Sequence, residues 1–400
     1  MAKRPTHKKN AERVQIRVFL TGLGSLCPLG VGIGSLSASF WQTPHYAREE
    51  AEPADTSGAL RVPEFDLADF IATTRPYLDR HSEFALAAGA MALGASNDEE
   101  GGLSPQRSGV ATATVFGNVA SMETFQEIIH TKGMRLASPV LFPHCYPNTS
   151  NSLLCIEFGL RGYNQNFCGD LLCSGRAVGA GFEAIRTGRA DLMLAGGCDA
   201  LSDRMREILQ AGEESEGPPV GEGACLLALE NEHSMSERGA QPICEIPAVA
   251  SRGTGVAARA DSTENERRIE TTIVSVIERA LREANMWEGD VGAVFLVPPC
   301  GVDKSIAAAA DKALSSFWQL PTFLPLARTG QTYAAAFPLQ CTAAALVLSQ
   351  GVLPSVPRLE NVRKGVEMWV EQMPSGMLGD AALVLGWSHR HVIGAILKSR

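Results

Sequence analysis

The stretch GLRGYNQNFCGDLLCSGRAVGAGFEAIRTGRADLMLAGGCD, residues 159–199, decides the fold class. Residues 174–186 are small and spaced as in a helix, and residues 191–196 form an apolar run typical of a buried strand. Similar patterns recur elsewhere, with strands predicted at 17–24, 110–115, 224–230 and 293–297 and helices at 80–96, 122–130, 264–286, 307–317 and 332–350. A final hairpin is predicted from residues 381–386 and 392–397. The alternation predicts an α/β protein.

The same stretch resembles the core of the β-ketoacyl synthases, condensing enzymes of the thiolase superfamily. In that family a run of the form GLRGP…TACxSG…GxADxMxAGG surrounds a reactive cysteine. Residues 18–30 (VFLTGLGSLCPLG) and 221–239 (GEGACLLALENEHSMSERG) are similar to two further family segments. The resemblance implies a thiolase-like five-layer αβαβα sandwich of two similar halves, which we place at residues 17–245 and 246–400.

Composition limits the remaining possibilities. Residues 1–17 contribute +5 to a net charge of −9, so residues 18–400 carry −14, which argues against a nucleic-acid surface. We expect residues 1–16 to form a disordered, solvated basic arm rather than a nucleic-acid-binding one. The apolar runs are too short to cross a bilayer, and the scattered cysteines have no metal-type spacing. A cytoplasmic protein with reduced cysteines, no cofactor and no membrane contact is expected.

The catalytic cysteine of the family has no counterpart at its own position. Anchors at Gly159-Leu160-Arg161-Gly162 and Gly188-Arg189-Ala190-Asp191 both place the family cysteine on Leu171 without a gap. In active members that cysteine lies at a strand-to-helix turn, where the helix N-terminus makes it nucleophilic. A leucine side chain cannot carry an acyl group.

The other family positions are also changed. The resemblance implies two histidines that stabilise the enolate formed from a malonyl thioester. Pro298 stands at the first and Gln331 at the second, while Leu326 and Gln340 replace a lysine and a glutamate. The family's glycine-rich gating loop is reduced to PSGMLGD at residues 374–380. We therefore predict that this chain has no condensing site.

Neighbouring thiols do not replace the lost nucleophile. Cys173 comes two residues after Leu171, and a residue two positions into a helix points roughly 200° away from the first. We interpret Cys168, Cys173 and Cys300 as structural. His144 and Cys145 are adjacent, which is weak evidence for a metal site, and no metal is expected.

A chain that keeps this fold and lacks the nucleophile is similar to the chain length factors of type II polyketide synthases. That resemblance implies a heterodimer with an active ketosynthase, contact with an acyl carrier protein and a role in shaping the acyl tunnel. Leu171 departs from the glutamine that many such subunits carry, so aromatic polyketide, polyene and fatty-acid-like systems all stay open. The alternatives are a homodimeric acyl- or carrier-protein-binding pseudoenzyme and a thiolase-fold enzyme with other chemistry.

Four apolar residues are candidates for the tunnel wall at the subunit interface. Counting back from Ser138-Pro139 places Phe116, Val119, Met122 and Phe125 where the family's interface segment lies. Their spacing of three to four residues predicts one helical face. The competing interpretation is ordinary core packing.

Overall fold

The computed structural model describes residues 16–41, 60–74, 77–94, 104–212, 220–256, 262–297, 304–315, 317, 322–323, 329–351 and 379–400. The strands are β1 (Phe19–Cys27), β2 (Gly30–Val31), β3 (Ser108–Thr114), β4 (Asn164–Cys168), β5 (Leu192–Asp199), β6 (Gly223–Glu230), β7 (Cys244–Gly253), β8 (Val291–Val297), β9 (Thr322–Phe323), β10 (Ala381–Trp387) and β11 (His391–Lys398). The helices are α1 (Ile33–Trp41), α2 (Arg80–Leu93), α3 (Val119–Lys132), α4 (Thr149–Glu157), α5 (Cys173–Arg186), α6 (Asp203–Gly212), α7 (Glu232–Arg238), α8 (Ser262–Ala284), α9 (Lys304–Ser315) and α10 (Ala336–Gln350). Residues 1–15, the greater part of the predicted basic arm, lie outside the described ranges.

Every predicted helix and strand that falls in the described ranges is present, with ends shifted by a few residues. The helix α2 shows why such predictions succeed, because both of its ends are marked in the sequence. Asp79 accepts a hydrogen bond from the Ser82 amide at the N-terminus, and Gly94 takes the left-handed conformation at the C-terminus. The helix predicted at 332–350 instead begins at Ala336, after a short 3-10 turn.

The strand order repeats along the sheet. The first set of strands is ordered β4-β3-β5-β6-β1, and the second set is ordered β9-β8-β10-β11-β7; β2 pairs with β1 outside this order. If the five strands of each set are numbered along the chain, both sets have the spatial order 3-2-4-5-1. Pairs β3/β4, β3/β5, β8/β9 and β8/β10 are parallel, whereas β5/β6, β1/β6, β10/β11 and β7/β11 are antiparallel. Among the described strands, the two sets are joined by the pairing of β1 with β7, at Phe19↔Glu245 and Leu20↔Cys244.

Three apolar clusters separate five layers. One cluster joins α2 to the outer face of the first strand set, and another joins α8 and α9 to the outer face of the second. The largest lies between the two sets, where α5 and α10 pack together and contribute Phe182 and Phe337. The fold is the thiolase-like αβαβα sandwich that the sequence predicted. Within the described ranges, no helix is both long and apolar enough to span a bilayer.

Candidate functional site

The turn between β4 and α5 carries Leu171, the position at which the sequence comparison places the family's cysteine. Leu171 lies in this turn beside Asp170, whose main-chain carbonyl accepts from the Cys173 amide at 2.9 Å and whose Oδ1 accepts from the Leu172 amide at 3.2 Å. A carboxylate therefore occupies the positive end of the α5 dipole. Its Oδ2 accepts from Ser388 Oγ at 3.1 Å and lies 3.3 Å from His391 Nδ1.

The hairpin between β10 and β11 is thus tied to the start of α5. Ser388 also receives hydrogen bonds from the amides of Arg390 and His391, which closes the hairpin turn. Burial lowers the pKa of His391, and the neighbouring Asp170 opposes that effect. This arrangement joins the second strand set to the turn that holds Leu171.

Leu171 packs into a small apolar cluster beside that turn. The cluster is built on three buried residues, Leu201, Val220 and Tyr333, and five partly buried residues pack against it, namely Val115, Phe116, Leu171, Met205 and Leu209. The Phe116 and Tyr333 rings meet edge to face, with centroids 4.6 Å apart. The position expected to carry an acyl group is therefore a hydrophobic contact.

Neither nearby thiol has the lowered pKa of a nucleophilic cysteine. Cys173 is fully buried, and burial, followed by the charges of Asp199 and Asp170, raises its pKa well above the ordinary value. Cys168 is exposed, yet desolvation also raises its pKa. A nucleophilic cysteine needs a lowered pKa, so the structural interpretation of both residues agrees with their surroundings. Cys300 lies outside the described ranges.

Gln331 is buried at the position of the second family histidine. It is 1% exposed, and its main-chain carbonyl accepts from the Gly221 amide at 3.0 Å. Its side-chain Nε2 has no hydrogen-bond partner among the described residues. The Thr332 hydroxyl and Gln340 Oε1 are likewise buried without a partner there. Pro298, Leu326 and residues 374–378 lie outside the described ranges. A neutral amide at Gln331 can donate a hydrogen bond but cannot become a cation.

Asp199 holds three segments around this site, a role that the sequence interpretation missed. Its fully buried carboxylate accepts from Thr114 Oγ1 at 2.6 Å and from the amides of Val115, Phe116 and Ala334 at 3.0, 3.0 and 2.9 Å. Burial raises the pKa of Asp199, and these donors oppose the shift. The available signal was a charged residue, Asp199, directly after the apolar residues 192–198, because a buried carboxylate needs donors.

Close backbone packing brings the same segments together. A Cβ atom added to Gly197 would lie 2.2 Å from the Ala334 carbonyl oxygen, closer than any side chain tolerates. The turn before α10 therefore lies directly against β5, and glycine is required at this position.

The four tunnel candidates separate into two groups. Phe116 precedes α3, whose N-cap is Asn118, so the prediction of one helical face is wrong for this residue. The reason is that Asp199 binds its backbone amide, which directs Phe116 to Tyr333. Val119, Met122 and Phe125 lie on α3 as predicted.

The α3 residues are not core of the single chain. Within α3 only Ser121 is buried, and Met122 is 47% exposed. The Phe125 ring contacts the Phe142 ring, which in turn contacts the Tyr146 ring, with centroids 5.5 and 5.3 Å apart. We call these residues, together with the exposed apolar residues of the following loop, the α3 apolar surface: Val119, Met122, Phe125, Met134, Leu136, Val140, Phe142 and Tyr146.

The strand β4 forms one edge of the sheet next to this surface. Within the described ranges it pairs only with β3. Asn166 on β4 donates to the Pro147 carbonyl at 3.3 Å, which places the edge beside the turn that carries Phe142 and Tyr146. Among the described residues, no group of three or more histidine, cysteine, aspartate or glutamate side chains could hold a metal ion.

Comparison with known proteins agrees with this architecture. Residues 17–212 match the model of the β-ketoacyl synthase N-terminal domain. The chain is 27% identical over 253 residues to 3-oxoacyl-(acyl-carrier-protein) synthase 2 of Synechocystis sp., covering 56% of this chain and 60% of that protein. It is 24% identical over 278 residues to the synthase 2 of Staphylococcus aureus, covering 63% and 66%. The matches therefore span somewhat less than two thirds of these relatives.

Solved structures share the fold along almost the whole chain. The ishigamide ketosynthase/chain length factor superposes with a TM-score of 0.77 at 20% identity, covering 97% of this chain and 100% of that one. A β-ketoacyl synthase from Burkholderia phymatum gives a TM-score of 0.75 at 19% identity, covering 96% and 100%. The fold is that of the thiolase-type condensing enzymes. Residues 17–212 belong to the β-ketoacyl synthase family.

Proposed function

We propose that this chain is a non-catalytic ketosynthase-like subunit that pairs with an active ketosynthase and helps to shape its acyl tunnel. The observation that carries the proposal is Leu171, which packs into an apolar cluster at the helix N-terminus where the family needs its nucleophile. Gln331 adds to it, since an amide replaces the second histidine. The proposal is also supported by the fold that this chain shares with the ishigamide ketosynthase/chain length factor.

The surface next to the site supports pairing. Among the described residues, β4 has no strand on its outer side, and exposed edges of this kind are templates for strand addition. The adjoining α3 apolar surface exposes several large side chains, including Met134 at 80% and Leu136 at 64%. Exposed apolar patches of this kind mark protein–protein contacts. We propose that Val119, Met122 and Phe125 form this subunit's part of the tunnel wall.

Co-expression tests the proposal. The chain is produced with a candidate ketosynthase and its acyl carrier protein, and the complex is analysed by size-exclusion chromatography with light scattering. We expect a heterodimer that condenses acyl and malonyl units and becomes acylated only on the ketosynthase subunit. A homodimer that does not bind the ketosynthase would contradict the proposal and favour an acyl-binding protein. An acyl adduct on this chain would also contradict it and favour an enzyme with other chemistry.

A surface variant locates the interface. Phe142→Ser removes an exposed aromatic ring from the α3 apolar surface, and Trp287→Ser removes one of similar exposure from the loop before β8, 47% against 58%. We expect Phe142→Ser to weaken the heterodimer about 10-fold or more, as central aromatic residues of interfaces do, and Trp287→Ser to leave it unchanged. Equal effects of both variants would place the interface elsewhere.

A further inference from the structure

A buried histidine lies where α2, α4 and β5 meet. His81, the second residue of α2, is 2% exposed. Its Nε2 lies 3.2 Å from Ser150 Oγ on α4, and its Nδ1 lies 3.7 Å from Cys198 Sγ on β5. The Cys198 thiol also donates to the main-chain carbonyl of His81 at 3.4 Å. One residue therefore connects the first turn of α2 to two other elements of the fold.

The surroundings of His81 favour its neutral form. A neutral imidazole has one N–H donor and one acceptor nitrogen, whereas a protonated ring has two donors and a positive charge. The two ring nitrogens of His81 face an uncharged hydroxyl and a sulfur atom, and sulfur is a weak acceptor. Burial lowers the pKa of His81, and the charges of Asp199 and Asp79 oppose that effect. The closed chain therefore resists protonation of this ring.

The other charged and titratable groups near His81 are already occupied. The Asp199 carboxylate accepts from a threonine hydroxyl and from three main-chain amides. Arg80, the neighbour of His81 on α2, pairs with Glu222 at 2.8 Å. Burial raises the pKa of the Cys198 thiol well above its ordinary value, so this group is neutral. A proton on His81 would thus gain no new partner among these groups.

The first turn of α2 also holds the start of α3. Asp79, the N-cap of α2, accepts from the Ser82 amide at 2.9 Å. The same carboxylate accepts from Asn118 Nδ2 at 3.1 Å and from Ser121 Oγ at 2.8 Å. Asn118 is the N-cap of α3, and Ser121 is the one residue of α3 that is buried. An opening of this turn that brings His81 into water therefore also withdraws the acceptor that binds α3.

We infer that His81 makes the attachment of α3 sensitive to protons, so that mildly acidic conditions open the first turn of α2 and detach α3 from the rest of the fold. In the opened chain His81 takes up the proton that the closed chain resists. Acid therefore favours opening below about pH 6.5, the ordinary pKa of histidine, by up to about 10-fold per pH unit. The inference goes beyond the proposed function and holds whether or not the chain pairs with a ketosynthase.

Hydrogen exchange of the full chain measures the detachment. Protection factors, which are corrected for the intrinsic effect of pH on exchange, are compared for the amides of α3 at about pH 7.5 and about pH 5.5. We expect protection to fall about 10-fold in the unchanged protein and to stay nearly constant in His81→Gln. His130→Gln is the matched control, because it removes an exposed histidine from α3 itself and should keep the full response. Sub-denaturing urea should change this protection little, since local opening exposes little surface.

Three outcomes would overturn the inference. Protection of α3 in the unchanged protein could be independent of pH, or its fall could persist in His81→Gln. A fall that grows steeply with urea would show that the whole chain unfolds instead. Should His81→Gln not fold, His81→Phe, which keeps a planar ring and does not titrate, decides by the same criteria. The measurement uses this chain alone, so a failure of ketosynthase pairing would leave its result unchanged.

Discussion

Replacing Asp199 by asparagine should loosen the whole site. The amide keeps one oxygen acceptor and turns the other into a donor. If that donor takes the place of Oδ2, the Ala334 amide loses its acceptor at 2.9 Å and the new NH₂ group faces other donors. Each buried group left without a partner costs about 1–3 kcal/mol, so two such groups cost about 2–6 kcal/mol. Burial raises the pKa of Asp199, so removing the charge recovers part of this loss.

We therefore expect a net destabilisation of about 2–4 kcal/mol. Urea unfolding at neutral pH measures the loss, and hydrogen exchange should show faster exchange at Val115, Phe116 and Ala334. Asp69→Asn, the same change at an exposed position, is the control and should stay within about 0.5 kcal/mol of the unchanged protein. An Asp199→Asn protein with unchanged stability and unchanged exchange would refute the role of this carboxylate.

Four further outcomes are expected. Mass spectrometry after incubation with acyl- and malonyl-carrier protein should find no acyl adduct on Cys173, because burial raises the pKa of that thiol. Leu171→Cys alone should form no β-ketoacyl product, since losing each family donor typically costs a factor of about 10² or more; turnover like that of an intact ketosynthase would disprove this. Met122→Ala in the heterodimer should lengthen the product chains seen by chromatography, and an unchanged distribution would remove this residue from the tunnel. Burial lowers the pKa of His81, so the folded state resists protonation of this side chain. The free energy of unfolding should therefore fall as the pH drops below about 6.5, by up to about 1.4 kcal/mol per pH unit. In urea titrations His81→Gln should reduce that dependence on pH.

The fold was largely predictable because apolar periodicity records burial within each element. The helix predicted at 174–186 is α5, and the strand predicted at 191–196 lies within β5, whose eight residues are all buried. The strand β4 escaped prediction because its sequence, NQNFC, is mostly polar and partly exposed. An edge strand owes its place to backbone hydrogen bonds with β3, which leave no apolar pattern. Similarly, no strand was predicted at β7, which spans the boundary placed between the two halves at residues 245 and 246.

The candidate site was predictable in position but not in its contacts. The family resemblance placed Leu171 at a strand-to-helix turn, and the structure has it there. The grouping of Phe116 with α3 was wrong, because a carboxylate 83 residues away in sequence binds its amide. Asp199 and Ala334 are separated by 135 residues, a distance over which no local pattern carries information. The boundary at residue 245 and the tunnel role of the α3 residues stay predictions.

The Asp170 carboxylate in the turn before α5 would oppose the evolution of a nucleophile at position 171. A cysteine introduced at Leu171 would stand beside Asp170, and a neighbouring negative charge disfavours the thiolate form. Such a single substitution would therefore bring little reactivity for selection to act on. Asp170 in turn is tied to Ser388 and His391, so its replacement would loosen the hairpin between β10 and β11. The residue that stabilises this turn would thus also disfavour a reactive thiol within it.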